Sequence, residues 1–308
     1  MKGKDTIEGV DKDRRLKLFD LADKLKKLSQ EGVKKEEGFR IVVTGKGGAG
    51  KTTIAAILSR IFAKKGYKVL AVDEDPQMNL PYALGIPREI ADTIVPLSRN
   101  ADYIEEKTGA RPGAGWGLYL RLNPEVDDVI EKFGVLGPDK VRVLVMGTVV
   151  QAATGCLCPE NALLDAVMNY ITLRENEVIV MDTQAGMEHF GRAMARGFHH
   201  AVIVVNPSFN SVQVGLHLAK LANDLNIKHV YVVINKVRNE KDVKKVEDLI
   251  KNSPSIRYDA IETIPYDEVL LDIEPSVEPL VNGEVTSEIT GKLIDIAKMI
   301  EEKEAKDV

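Results

Sequence analysis

A glycine-rich segment between a predicted strand and a predicted helix constrains the fold of this chain more than any other feature. Residues 45–53 read GKGGAGKTT, after the apolar, β-branched run 40–44 and before the helical pattern 52–65. Glycines let successive backbone N–H groups turn toward one anion, and the N-terminus of the following helix adds partial positive charge. The segment matches the phosphate-binding pattern GxxxxGK[ST], in which Lys51 reaches the β- and γ-phosphates and the Thr52 hydroxyl contacts Mg²⁺. The loop residues predicted to bind nucleotide are Gly47, Gly48, Ala49, Gly50, Lys51, Thr52 and Thr53.

Short apolar runs alternate with longer helical patterns along the rest of the chain. The predicted strands are 40–44, 68–72, 141–146, 178–181, 201–205, 229–234 and 260–264, and the helical patterns are 52–65, 159–172, 208–225 and 287–303. This alternation indicates crossover units and a parallel sheet, and strands that are apolar on both faces indicate a sheet covered on both sides. The sequence therefore predicts an α/β fold, with a mostly parallel central sheet and helices on both faces, as a single domain over residues 39–308. Residues 92–124 show the weakest pattern and are predicted as a long loop or small insertion.

The first 38 residues differ from the rest of the chain. Apolar residues recur at helical spacing on one face, and lysines and arginines lie on the other; the apolar positions are Leu16, Phe19, Ala22, Leu25 and Leu28. A basic amphipathic helix can dock on a membrane or a partner, but we favour packing against its own domain. Residues 1–38 are thus predicted to be an N-terminal helical extension plus linker.

Charge and cysteine content narrow the possible classes of function. The 308 residues include 42 lysines and arginines against 47 aspartates and glutamates, a net charge of −5. That balance argues against bulk nucleic-acid binding, which needs a basic surface. The sequence shows no run of 18 apolar residues and no signal-peptide pattern, so we do not expect a membrane location. Two cysteines in a chain of this length suit a reducing compartment, and we expect a cytoplasmic protein.

Acidic residues follow two of the predicted strands. Asp73 and Asp75 lie in VDEDP, residues 72–76, and Asp182 ends a buried apolar run. Ligands bind at the carboxyl ends of the strands in open α/β sheets. Asp182 fits a Walker B carboxylate that coordinates Mg²⁺ through water, whereas the first two acids either join this site or form a turn before a proline. Gly186 can present its N–H to the γ-phosphate, which would make its loop a switch that hydrolysis releases.

The two cysteines, Cys156 and Cys158, lie one residue apart, just before a predicted helix. A helix N-terminus lowers the pKa of a thiol, and thiolates bind soft or borderline metals. Two thiolates are too few for a closed four-ligand site, but two copies of the chain around a two-fold axis would supply four. Four sulfurs suit tetrahedral Zn²⁺ or square-planar Ni²⁺. The alternatives are a pair of small buried residues and a strained redox pair.

Four segments together resemble a known family. They are GKGGAGKTT (45–53), VDEDP (72–76), GCLCPENALL (155–164) and VIVMDTQAGMEHFGRAMARG (178–197). The early lysine of the first segment resembles the deviant Walker A motif of dimeric P-loop ATPases such as MinD, ParA and nitrogenase iron protein. The last two segments resemble the CooC-type carbon monoxide dehydrogenase accessory proteins, which are nickel-insertion ATPases. This resemblance covers about residues 39–270 and implies the P-loop NTPase fold of the MinD and nitrogenase iron protein type.

The resemblance implies roles for individual residues. Lys46 would cross a dimer interface to the partner's ATP, and Asp75 would position the attacking water. The implied catalytic residues are Lys46, Lys51 and Asp75, and the implied Mg²⁺ residues are Thr52, Asp73 and Asp182. The implied base-binding residues are Asn235, Lys236, Pro265, Tyr266 and Asp267. Gln184 departs from the pattern, because we expect an acid at this position in close relatives.

The resemblance also implies a function. It predicts an ATP-dependent metallochaperone that forms a homodimer on binding ATP, metal or both, and that holds Ni²⁺ between the paired cysteines. Zn²⁺ could occupy the same cysteines, and the client would be carbon monoxide dehydrogenase or acetyl-CoA synthase. Two other functions stay open. One is a positioning ATPase of the MinD and ParA kind, and the other is an iron–sulfur ATPase like nitrogenase iron protein.

Overall fold

The computed structural model describes residues 24, 38–113, 120–147, 159–172, 177–185, 197–253 and 256–307. The strands are β1 (Arg40–Gly45), β2 (Val69–Asp73), β3 (Val135–Leu136), β4 (Arg142–Val145), β5 (Val178–Asp182), β6 (His200–Val205), β7 (His229–Val237) and β8 (Ala260–Pro265). The α-helices are α1 (Lys51–Lys64), α2 (Leu80–Ala83), α3 (Arg88–Ala91), α4 (Ala101–Thr108), α5 (Val129–Phe133), α6 (Pro159–Thr172), α7 (Phe209–Asp224), α8 (Glu240–Lys251), α9 (Val269–Ile273), α10 (Glu278–Val281) and α11 (Glu288–Asp307). Short 3₁₀ turns cover Leu97–Arg99 and Pro138–Lys140.

The strands form one eight-stranded sheet in the order β3-β4-β2-β5-β1-β6-β7-β8. Every neighbouring pair is parallel except β3 and β4 at one edge, which are antiparallel. The prediction of a mostly parallel sheet is therefore confirmed. The antiparallel edge strand β3, only two residues long, was not predicted.

Helices cover both faces of this sheet, as predicted. Successive side chains of a strand point to opposite faces, so β1 contributes to two apolar cores. Ile41 and Val43 pack in the core that includes residues of α1 and α11, whereas Val42 packs in the core that includes residues of α6 and α7. Among the described residues, no helix is both long enough and apolar enough to cross a bilayer.

Residues 92–124 were predicted as a long loop or small insertion, and the structure places a helix in the middle part of this region. α4 lies within that region and has regular end signals: the Asn100 side chain accepts a hydrogen bond from Tyr103 N at 3.1 Å, and Gly109 adopts a left-handed conformation at the C-terminus. These are the usual features of a capped helix. Tyr103 and Ile104 of α4 then join the core on the α6 side of the sheet.

The parallel arrangement brings the ends of several strands to one edge of the sheet, which we call the carboxyl edge. Asp73 at the end of β2 lies beside Asp182 at the end of β5, and Val43 of β1 lies on the other side of Asp182. The loop after β1 therefore opens next to both carboxylates. This register places the predicted phosphate loop and the predicted Mg²⁺ residues in one region.

Candidate functional site

A cleft of about 1110 Å³ opens at the carboxyl edge of the sheet. Most of the described residues that the sequence assigns to nucleotide binding line it: Gly47, Gly48, Gly50, Lys51, Thr52, Thr53, Asp75, Asn235, Lys236, Pro265, Tyr266 and Asp267. Four other predicted residues, Lys46, Ala49, Asp73 and Asp182, do not line it. The cleft thus brings together residues from the loop after β1, the turn after β2, the strands β7 and β8 and the segment after β8, which are far apart in sequence.

The loop between β1 and α1 needs glycine at two positions for different reasons. Gly45 has φ 154°, and an added Cβ would lie 2.2 Å from the carbonyl oxygen of Val204 on β6. Gly50 has φ 101°, and an added Cβ would lie 2.3 Å from Asn235 Nδ2. The first turn of α1 contains no acidic side chain. Its free N–H groups and positive end therefore favour an anion such as phosphate.

Thr52 and Asp182 form the candidate Mg²⁺ site. The Thr52 hydroxyl donates to Asp182 Oδ2 at 2.6 Å, while Asp182 Oδ1 is buried and has no hydrogen-bond partner among the described residues. Burial raises the pKa of Asp182 to about 7; the Thr52 hydrogen bond and the Lys51 charge oppose this shift, and Asp75 adds to it. A buried carboxylate oxygen without a partner beside a hydroxyl is a donor set that fits a hard cation.

Asp73 has a clear structural role within this acidic group. Its Oδ1 accepts from Asp75 N at 2.9 Å and its Oδ2 from Leu80 N at 3.0 Å, so that it holds the turn after β2 and the start of α2. Burial, and then repulsion from Asp182, raise the pKa of Asp73 well above its usual value. The neighbouring Glu74 is also buried, and its pKa rises to about 8 for the same two causes. The edge therefore concentrates buried acidic groups, and a bound cation would stabilise their charged forms.

Asn235 and Lys236 hold the phosphate loop from the side of β7. Asn235 Nδ2 donates to Ala49 O at 2.7 Å, and Lys236 Nζ donates to Gly48 O at 2.9 Å. The remaining polar atom of the amide, Asn235 Oδ1, accepts from Lys236 N at 2.9 Å. Both side chains were predicted to read the base. The structure shows that they restrain the loop, through contacts that no local sequence pattern reveals.

The segment after β8 forms the wall of the cleft. Tyr266 N donates to Val237 O at 2.8 Å, and the Arg238 guanidinium lies over the Tyr266 ring at 4.7 Å from its centroid. Asp267 Oδ1 accepts from Val269 N at 3.1 Å, at the beginning of α9. These contacts hold the predicted base-flanking residues in a defined position.

The remaining predicted site residues are Lys46, Gly186 and the two cysteines. Lys46 is half-buried at the beginning of the loop, where its carbonyl accepts from Ala49 N at 3.1 Å. Gly186, Cys156 and Cys158 lie outside the described residues. Sequence reasoning did not assign a role to Gln184, although it follows the Walker B carboxylate and lines the cleft.

Comparisons with known proteins agree with this geometry. Residues 40–279 match the family described as CobQ/CobB/MinD/ParA nucleotide binding domain. The chain is 42% identical over 242 residues to an uncharacterised ATP-binding protein of Methanocaldococcus jannaschii, covering 78% of this chain and 90% of that protein. It is 37% identical over 231 residues to the carbon monoxide dehydrogenase accessory protein CooC of Rhodospirillum rubrum, covering 75% of this chain and 85% of CooC.

A solved structure has a similar fold. The cell-division ATPase MinD of Pyrococcus furiosus superposes with a TM-score of 0.57 at 23% sequence identity, covering 86% of this chain and 99% of the MinD chain. At this identity the likeness concerns the arrangement of strands and helices.

Proposed function

Because the chain is a CooC-like member of the CobQ/CobB/MinD/ParA nucleotide-binding family, and is an ATPase, we propose that it is an ATP-hydrolysing metallochaperone. In this proposal it binds Ni(II) at a pair of cysteines shared across a dimer and supports nickel insertion into carbon monoxide dehydrogenase. The CooC relative carries a name that refers to this client. Zn²⁺ is the competing metal at the same thiolates, and acetyl-CoA synthase is the competing client.

The observation that carries the proposal is the contact between the nucleotide site and the chain just before the segment with the cysteines. The described chain stops at Gly147, just after β4, and resumes at Pro159, where α6 begins. Met146 N and Gly147 N both donate to Asp73 O, at 2.8 and 3.3 Å. The segment that contains Cys156 and Cys158 follows Gly147 in the chain, and Gly147 is hydrogen-bonded to Asp73, the residue that organises the acidic turn. A shift of Asp73 on nucleotide binding would therefore reach the chain that leads to the cysteines.

The ATPase chemistry follows from the residues of the cleft. The loop N–H groups and the N-terminus of α1 would hold the phosphates, and Lys51 would offset their charge. Thr52 and Asp182 would hold Mg²⁺, with Asp73 beside them. When bound, this cation supplies charge compensation for the phosphates. Asp75, with its Oδ1 accepting from Gln77 N at 2.9 Å, is held at the rim where water can approach.

Dimer formation would complete both sites in the proposal. Lys46 does not line the cleft of its own chain, which is compatible with a role toward the ATP of a partner. A two-fold axis would join two cysteine pairs into one set of four thiolates. ATP can change nickel affinity only through different binding to the closed and open dimers, so hydrolysis would release metal by separating the four ligands.

The first test is nickel stoichiometry. Equilibrium dialysis of reduced protein with Ni²⁺ and Mg-ATP, with the mass read by light scattering, should give one metal per two chains and a mass near twice 33.9 kDa. Dialysis with Zn²⁺ in competition identifies the preferred metal. One nickel per monomer, or no tight nickel, would contradict the shared site and favour a positioning ATPase.

Two variants separate the metal from the nucleotide. The double variant Cys156→Ser/Cys158→Ser should lose nickel but continue to hydrolyse ATP, because serine hydroxyls are poor ligands for a borderline metal. Lys51→Ala should lose hydrolysis because it removes charge compensation from the phosphates. Full nickel affinity in the double variant would mean that the metal site lies elsewhere.

A glycine substitution tests whether Gly147 couples the nucleotide site to the cysteines. Gly147 has φ 66°, and an added Cβ would lie 2.6 Å from Ser98 Oγ and 2.8 Å from Pro96 Cβ, so Gly147→Ala displaces the start of the cysteine segment. The matched control is Gly113→Ala, with φ 74° but no atom of the described residues within 4 Å of the added Cβ. In the wild type we expect Mg-ATP to change nickel affinity by about 5–150-fold. Gly147→Ala should reduce this ratio toward one; a ratio equal to that of the control would exclude this coupling.

A further inference from the structure

Gln184 lies at the phosphate end of the cleft. It is the second residue after Asp182, which ends β5, and it lines the cleft together with Lys51 and Thr52. The next residue, Ala185, is close to the phosphate loop, since a Cβ added at Gly47 would lie 3.5 Å from Ala185 Cβ. The end of β5 therefore approaches the loop where the last phosphate of a nucleotide would lie.

Two side-chain oxygens at this end of β5 are buried without a hydrogen-bond partner among the described residues: Asp182 Oδ1 and Gln184 Oε1. The first belongs to the candidate Mg²⁺ site. The second is an amide oxygen, a good hydrogen-bond acceptor that has no other described role. Buried acceptors are nearly always paired, so an unpaired one at the wall of a ligand cleft indicates a partner that arrives with the ligand.

The charge of the surroundings explains why an amide suits this position. Four acidic residues lie in or next to the site, namely Asp73, Glu74, Asp75 and Asp182. A further carboxylate would add repulsion to this group and to the phosphates. A neutral amide offers an acceptor for a water O–H without adding negative charge.

We propose that Gln184 is a catalytic residue that orients the attacking water during ATP hydrolysis. The amide oxygen accepts a hydrogen bond from the water, whose oxygen forms a bond to the γ-phosphorus. The bond between the γ-phosphorus and the bridging oxygen breaks, and ADP leaves with that electron pair. The proton of the water passes to a phosphate oxygen, so the amide keeps its own protons and the products are ADP and inorganic phosphate.

This role rests on the ATP-hydrolysing part of the proposed function and is independent of nickel. Gln184 would act alongside Asp75, which lies on the β2 side of the same cleft. Orientation of the nucleophile contributes through positioning, so its loss lowers kcat and leaves nucleotide binding intact.

The test is Gln184→Met, which keeps the length of the side chain and removes the acceptor. We expect kcat for Mg-ATP hydrolysis in the absence of nickel to fall on the order of 100-fold, with the KM for ATP and the affinity for Mg-ADP unchanged. The variant should also fail to trap Mg-ADP with aluminium fluoride, because that complex mimics the transition state. Gln184→Glu keeps an acceptor and should hydrolyse ATP faster than Gln184→Met.

The matched control is Gln213→Met, the same change on α7 outside the cleft. It should retain the wild-type rate and the wild-type trapping. Wild-type kcat in Gln184→Met, or equal rates for Gln184→Met and Gln184→Glu, would overturn the role of Gln184 and leave the ATPase intact. A wild-type protein that does not hydrolyse ATP would overturn both the role and the proposed function.

Discussion

Replacing Asn235 with alanine should weaken the phosphate loop and the whole fold together. Asn235 is 6% exposed and makes two short hydrogen bonds, from its Nδ2 to Ala49 O at 2.7 Å and to its Oδ1 from Lys236 N at 2.9 Å. Asn235→Ala removes both. It also leaves the carbonyl of Ala49, a fully buried residue, without this donor.

The size of the effect can be worked out from these contacts. Each hydrogen bond contributes about 0.5–1.5 kcal/mol net, and a buried carbonyl left unpaired adds about 1–3 kcal/mol. Because the terms overlap, we expect the free energy of unfolding to fall by about 2–4 kcal/mol. The loop also loses preorganisation, so ATP affinity should fall on the order of 10-fold.

Urea unfolding and ATP titration measure the two effects separately. Asn223→Ala is the matched control, because the Asn223 amide also makes two backbone hydrogen bonds, to Arg257 O at 3.1 Å and from Arg257 N at 2.9 Å. These bonds are exposed and far from the cleft, so the control should lose less than about 1 kcal/mol and keep its ATP affinity. Equal losses of stability in the two variants, or wild-type ATP affinity in Asn235→Ala, would refute the reasoning.

Two other predictions concern the loop and the opposite edge of the sheet. Gly50→Ala should abolish ATP binding, because its φ of 101° disfavours alanine and the new Cβ would meet Asn235 Nδ2 at 2.3 Å; a double-mutant cycle with Asn235→Ala should show a smaller cost once that atom is gone. His200 is fully buried between the Glu304 carboxylate, 2.7 Å from its Nε2, and the Tyr231 hydroxyl, and burial lowers its pKa from about 6.5. The unfolded chain therefore takes up this proton first, so stability should be full above about pH 6.5 and fall as the pH decreases below it. Urea unfolding at pH 7.5 and pH 5.5 should show a smaller difference in His200→Gln than in the wild type, and an equal difference would contradict the assignment.

Periodicity predicted the central elements well because they are buried on both sides. The predicted strand 201–205 differs from β6 (His200–Val205) by one residue, and the predicted helix 159–172 has the same bounds as α6 (Pro159–Thr172). Strand β3 has only two residues and is defined by its pairing with β4, so no local sequence pattern predicts it. Helix α4 was missed although Asn100 and Gly109 are readable end signals, because its eight residues are mostly polar.

The candidate site was predictable in part because some of its residues are neighbours in the sequence. A phosphate loop depends on residues that are adjacent in sequence, so most of its predicted residues line the cleft. The restraint of that loop by Asn235 and Lys236 joins residues almost two hundred positions apart. The Asp73 side chain accepts hydrogen bonds from Asp75 N and Leu80 N because the turn after β2 folds back onto it. A strand pattern does not specify that turn.

The buried acidic residues at the carboxyl edge lie where they would respond to a bound nucleotide. Asp73, Glu74 and Asp182 are all buried at this edge. Burial raises the pKa of Asp182, and the charge of Lys51 opposes only part of this shift. Binding of Mg-ATP would bring a cation to these buried carboxylates and favour their charged forms. Asp73 would pass that change to two places, because its side chain accepts a hydrogen bond from Asp75 N in the turn after β2 and its carbonyl accepts one from Gly147 N. If this residue shifts when Mg-ATP binds, the turn that carries Asp75 and the chain at Gly147, which precedes the cysteines, would move together. This is the kind of shared element that coupling between two sites requires.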